Sequence, residues 1–201
     1  MTFRINSKEL SQAKKRVNAT VRAIEIAQYR TVNRVASKNR TAASKHIRQQ
    51  VRLPASYVNE NLTVTQKATR QNPLAVISGR KRPTRLARYG AKQLTRAARS
   101  AGGDTLRKIP SGRKQAGVSV HVRRNGSRRK HPKAFLLPLN TNGHLGMFIR
   151  FGPGKRDIKH MYGPSVDQVF RDVREEIRPK IRRDLAAEYR RQLNYALSKG
   201  L

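Results

Sequence analysis

The chain has no cysteine, few acids, few aromatics and no long apolar run. Without cysteine there are no disulfides and no thiolate metal sites. No stretch approaches the roughly 20 apolar residues needed to span a bilayer, and no lipidation motif is present, so a membrane partner is not expected. Met1-Thr2-Phe3-Arg4-Ile5-Asn6-Ser7 runs straight into polar helical sequence and lacks a signal-peptide core, so synthesis in the cytoplasm is expected. Aromatics are 5% of 201 residues, too few for a base-stacking platform. The hydrophobic fraction is 36%, so the core should be thin and neighbouring subunits should help complete it.

Against 11 Asp and Glu stand 46 Lys and Arg, a formal charge of +35. Such an excess repels itself in a compact fold unless an anionic polymer meets it and gives up its counterions. Arg outnumbers Lys by 30 to 16, and the guanidinium fork suits ordered phosphate contacts.

Enzymatic chemistry finds little support. Between Asn61 and Arg156 there are 23 Lys and Arg but one acid, Asp104, whereas a metal-dependent nuclease needs several convergent carboxylates. Asp157, Asp167 and Asp172 could in principle cluster, but they lie in a loop and at a helix start, where capping explains them more simply. His46, His121, His131, His144 and His160 form no ligand pair at metal spacing. Gly152-Pro153-Gly154-Lys155 superficially resembles a phosphate loop, but the spacing is wrong and Pro153 removes an amide. No nucleophile elbow occurs. We expect no enzyme activity, no cofactor and no metal.

Periodicity predicts an α+β fold in which long terminal helices pack on a small, mainly antiparallel sheet with long basic loops. One domain is expected over 1–201: an N-terminal helix in 1–54, a basic strand and loop region in 55–152, and a connector with the C-terminal helix in 153–201. Ser7 to Arg52 reads as a single helix, capped at Ser7. Leu10, Ala13, Val17, Val21, Ile24, Gln28, Val32, Val35, Asn39, Ala42, His46 and Val51 share its inward face. A helix of about 45 residues reaches about 68 Å, so it should lean on neighbours or break near Ser37-Lys38-Asn39. Pro54 ends it. Ala55 to Leu62 predicts a short helix. Strands are expected at Thr63–Thr69, Leu74–Ser78 and Gln115–Arg123, where Val118, Val120 and Val122 alternate with Ser119, His121 and Arg123. Ala134–Leu139 and Leu145–Phe151 should form a hairpin about Asn140-Thr141-Asn142-Gly143. Ala98–Lys114 reads as a mobile loop ordered by partners, and Gly152–Pro164 as a connector.

From Ser165 a second helix is expected, with Asp167 helping to cap it and a kink at Pro179. Val169, Val173, Ile177, Ile181, Leu185, Tyr189 and Leu193 fall every four residues and are the expected subunit interface. Six acids among nine basic residues make this the near-neutral part of the chain. Polyanion contact falls instead to two clusters: Arg80, Lys81, Arg82, Arg85 and Arg88, and Arg123, Arg124, Arg128, Arg129 and Lys130. With no base-reading motif, the expected mode is contact to a nucleic-acid backbone without sequence specificity.

The order of features is similar to that of the minor tail protein Z family of lambda-like long-tailed phages. An Arg-rich helix ends in Val51-Arg52-Leu53-Pro54, a basic middle holds Arg80-Lys81-Arg82-Pro83, and a hairpin ends Met147-Phe148-Ile149-Arg150-Phe151-Gly152. Then Gly163-Pro164-Ser165-Val166, the sharpest local match, steps into a helix with Phe170. The resemblance implies a virion protein at the head-proximal end of the tail, acting in tail completion and head–tail joining at the neck. It implies a homohexameric ring in contact with the tail terminator and head–tail connector proteins. The competing expectation, from charge and thin core, is an RNA-binding scaffold of ribosomal-protein type.

Overall fold

In the computed structural model, residues 7–139 and 144–199 are described. The element order is α1 (Ser7–Gln50), α2 (Ala55–Asn61), β1 (Leu62–Gln66), β2 (Val76–Gly79), β3 (Thr84–Arg85), a 3-10 turn (Leu86–Arg88), β4 (Lys92–Ala97), β5 (Arg113–Val120), β6 (Arg129–His131), β7 (Ala134–Pro138), β8 (Leu145–Arg150), β9 (Ile158–His160), β10 (Tyr162–Gly163) and α3 (Val166–Ser198). The α+β class with long terminal helices and small antiparallel sheets is as expected. The chain divides into two compact units, one of Met1–Ala42, Thr63–Ser78 and Arg174–Leu201, the other of Ala43–Leu62 and Gly79–Val173.

In the first unit α1 runs unbroken through Ser37-Lys38-Asn39. Its buried stripe is Ala23, Ala27, Thr31, Val35 and Asn39, spaced every four residues and made mostly of small side chains. The larger apolar residues chosen from the sequence behave otherwise. Leu10, Val17 and Val21 are 75%, 60% and 49% exposed, and every side chain from 7 to 22 faces solvent. Small residues permit a close approach, and that sets the phase of the helix rather than side-chain size. Asn33 fixes the strand segment to α1 by pairing with both backbone groups of Ala68, donating to its carbonyl and accepting from its amide at 2.8 Å each. α3 meets α1 in this unit through Lys38–Asp184 at 2.9 Å and Arg34–Glu188 at 3.4 Å. The helix continues through Pro179.

The second unit holds the three-stranded sheets β4-β5-β6 and β7-β8-β9 and the β3-β10 pair. The arms of the expected hairpin pair from Ala134↔Ile149 to Pro138↔Leu145, while its turn, 140–143, lies outside the described residues. Val118, Ser119 and Val120 are all buried, so β5 is covered on both faces rather than one. Ala98–Lys114, expected to be a loop ordered by partners, orders itself as the β4–β5 connection. Asp104 and Ile109 exchange backbone hydrogen bonds of 2.7 Å, and the Asp104 carboxylate accepts from the Arg107 amide and Nε at 3.0 and 2.6 Å. Those bonds from Arg107 hold the Asp104 carboxyl below its ordinary pKa.

Tyr89 is the pivot of this unit. It is wholly buried, its hydroxyl donates to the Pro164 carbonyl at 2.6 Å, and burial pushes the phenol up to about 12. A Cβ on Gly163 would lie 2.8 Å from the Tyr89 ring, so glycine is required there. Ser165 then caps α3 in a reciprocal box: its hydroxyl accepts from the Gln168 amide at 3.0 Å, and Gln168 Oε1 accepts from the Ser165 amide at 2.8 Å. The side-chain cap is Ser165; Asp167 lies in the first turn, where its charge suits the helix dipole as expected, and also pairs with Arg171 at 2.9 Å. Gly163-Pro164-Ser165-Val166 has one physical role at each position, the last being a fully buried Val166.

Candidate nucleic-acid interface

The two basic clusters, alike in sequence, are built differently. In the first, the chain leaves β2 at Gly79, turns through Pro83, and forms β3 and the 3-10 turn. β3 pairs with β10, setting Arg85 opposite Tyr162. Arg80, Arg82, Arg85 and Arg88 thereby converge, with Tyr57, Pro83 and Tyr162, on a pocket of about 110 Å3 that no carboxylate lines. The Arg88 guanidinium lies 4.5 Å from the centre of the Tyr57 ring, a cation–π contact that holds it without neutralising it. Arg80 donates to Asn61 Oδ1 at 3.2 Å. Lys81 is exposed and does not line the pocket.

Tyr162 ends a ladder of rings. Phe135, Phe148, His160 and Tyr162 follow one another with centroids 6.2, 4.5 and 4.6 Å apart. Burial, with the charge of Arg85, lowers the pKa of His160. No sequence signal announced Tyr57 or Tyr162 as members of the site. Tyr57 arrives on α2 and Tyr162 on a two-residue strand, both too far along the chain to join a local pattern.

The second cluster spends two of its four guanidinium groups, those of Arg124 and Arg128, on the protein's own carbonyls. Arg124 donates to the Arg48 carbonyl at 3.0 Å and its amide to the Gln50 carbonyl at 2.8 Å, so it caps the C-terminal end of α1. Arg128 donates to the Ser119 carbonyl and hydroxyl at 3.2 and 3.1 Å, and to the Gly90 carbonyl. Nearby, Arg52 donates to His121 Nδ1 at 2.9 Å, and His121 Nε2 then donates to the Gly126 carbonyl at 2.8 Å. Arg123 and Arg129 line an open depression of about 450 Å3, and Lys130 is exposed on β6.

Cations of the first unit are treated in a third way. A groove of about 510 Å3 is lined by Arg30, Arg34 and Lys67, but Arg34 already faces Glu188. Hydrogen bonds from Lys180 and Lys38 hold the Asp184 carboxyl down at about 2. Burial raises the pKa of Glu188, but hydrogen bonds from Arg191 and Gln192 and the charges of Arg191 and Arg34 outweigh it, so the net shift is downward. On α3 the expected interface residues divide. Val169, Val173 and Ile177 are buried within the chain itself, whereas Ile181, Leu185, Tyr189 and Leu193 keep part of their surface in solvent.

The loop at Gly152-Pro153-Gly154-Lys155 already holds an anion of its own. Asp157 accepts from the Gly154 amide at 2.9 Å, and a Cβ on Gly152 would meet that carboxylate at 2.4 Å. Among the described residues no group of His, Asp and Glu is arranged to hold a metal ion. No helix among them is long and apolar enough to cross a membrane.

Residues 7–200 match the family described as prophage minor tail protein Z (GPZ). The chain belongs to that family. It is a structural protein of the phage tail, from a family that is not an enzyme class. No curated protein and no solved structure was found to match it. The family assignment spans both units and the steps singled out above: Val51-Arg52-Leu53-Pro54 at the end of α1, the arginine-lined pocket, and the capped entry to α3.

Proposed function

We propose that the chain completes the tail at its head-proximal end, as a homohexameric ring that joins the tail to the tail terminator and head–tail connector. In this reading the virion neck is its place of work. The surface of Arg80, Lys81, Arg82, Arg85 and Arg88, with Arg123, Arg129 and Lys130, faces double-stranded DNA in the channel and contacts its backbone without reading sequence. The observation that carries the DNA-facing part is that four arginines line one pocket that no carboxylate lines. A net charge of +35 that the chain's own acids do not balance supports it. The half-exposed Ile181, Leu185, Tyr189 and Leu193 are the proposed subunit interface.

Two measurements test this. Antibody labelling of this chain on purified particles will mark the head–tail junction; label elsewhere on the tail ends the neck assignment. Arg80→Glu, Arg82→Glu, Arg85→Glu and Arg88→Glu combined will weaken DNA binding and lower the slope of log affinity against log salt by about three to four. Ring assembly will be intact. Unchanged DNA affinity removes this surface from the proposal.

A further inference from the structure

We infer that the pocket between α2, the β2–β3 segment and β10 is a discrete site for one phosphate group, not a stretch of diffusely basic surface. The inference deepens the DNA-facing proposal and rests on it only for the source of the phosphate.

Like charges brought into one pocket repel, and a chain relieves this by spreading them, pairing them with acids or leaving an anion to do so. Spreading is not what happens here. Arg85 and Arg88 are half-buried, and all four guanidinium-bearing residues line about 110 Å3. Pairing does not happen either, although the protein uses it elsewhere: Lys38, Lys180 and Arg191 all reach carboxylates on α3 within 2.9 Å. What holds the pocket arginines in place is neutral. Arg88 rests on the Tyr57 face, and Arg80 donates to an amide oxygen. These contacts orient Arg80 and Arg88 and leave their charge available, while Arg82 and Arg85 line the pocket with no acceptor of their own among the described residues.

Charge and valence choose the ligand. About 110 Å3 is ample for a small oxyanion such as phosphate. Each guanidinium offers five N–H donors in a planar fork. A carboxylate presents two oxygens and one charge, whereas a phosphate presents more acceptor oxygens at tetrahedral angles and, as a free ion or monoester, up to two charges. Four forks match the phosphate.

The test uses the full chain and inorganic phosphate, titrated calorimetrically at fixed ionic strength, with acetate as the carboxylate probe. Phosphate will saturate at one per chain, and acetate will bind at least tenfold more weakly. Arg82→Gln with Arg85→Gln will weaken phosphate at least tenfold. Neither side chain has an acceptor among the described residues, so the variant will fold normally. Arg96→Gln with Arg99→Gln, which removes the same charge at exposed positions elsewhere, will change it less than twofold. Absence of saturation, acetate binding as tightly as phosphate, or equal loss in both variants overturns the inference.

A short duplex without terminal phosphates separates the two proposals. Displacement of phosphate by the duplex makes the DNA backbone the source. Phosphate binding that the duplex leaves untouched keeps the site, assigns it to free phosphate and sinks the DNA-facing proposal. Duplex binding that depends on Arg82 and Arg85 while phosphate never saturates keeps DNA contact and sinks the discrete site.

Discussion

Arg80–Arg88 and Arg123–Lys130 are two runs of similar basic density, and the fold puts them to opposite uses. Arg124 and Arg128 satisfy carbonyls of α1, β5 and Gly90, so part of the second run belongs to the scaffold. The first run keeps its guanidinium groups at a pocket, positioned by a ring and an amide. Linear charge density therefore does not identify a polyanion surface. The positions of nearby carbonyl and carboxylate acceptors decide which cations the protein already engages, and those are a property of the fold.

The sharpest way to break this contrast is at Gly117, which lets β6 lie against β5 beneath the second run. Its φ is +103°, and a Cβ there would lie 2.5 Å from the His131 carbonyl oxygen. Gly117→Ala will destabilise the chain by about 3 kcal/mol or more in denaturant unfolding. A loss under 1 kcal/mol would mean that β6 is not held as described. Arg128→Ala comes next. It leaves the carbonyl and hydroxyl of buried Ser119 without their charged donor, and the expected cost is about 2 kcal/mol. Unaltered stability would put Arg128 back among the free cations of its run.

A smaller effect concerns His160, beside the first run. Its pKa is lowered in the folded chain from an ordinary 6.5, so the unfolded chain takes up the proton more readily. Its contribution to stability is complete above pH 6.5 and is lost as pH falls below that value. Melting temperature should drop between pH 7.5 and 5 by more in the native chain than in His160→Gln; equal drops would remove His160 as the cause. Arg82→Gln marks the lower bound. With no acceptor of its own, Arg82 will change unfolding free energy by less than about 0.5 kcal/mol. A larger loss would make the first run structural too.

The long elements were legible because their signals are long. Steps of three and four residues give α1 and α3, Pro54 closes the first, and alternation gives β5. The phase of α1 was not legible, because Ala23, Ala27 and Thr31 are buried for their smallness while Leu10 and Val17 stay outside. Strands of two or three residues, such as β3, β6, β9 and β10, carry no periodicity to detect. The four pocket arginines stood out in the sequence as a run. Their tyrosine partners did not, since the β3–β10 pairing that delivers Tyr162 is a tertiary event. Asp167 was the obvious acid for a helix start, but Ser165 with Gln168 satisfies two amides at once and takes the cap.

The solvent-bathed beginning of α1 has a consequence for how the molecule behaves alone. Residues 7 to 22 make about 24 Å of helix with no burial to offset the entropy of ordering it, and isolated helices of that length are marginal in water. In a purified single chain the amides there will exchange with solvent far faster than those near Val35, and protease will nick there first. The opening turns of α1 are an unfinished edge, on which Leu10, Val17 and Val21 have no cover among the described residues.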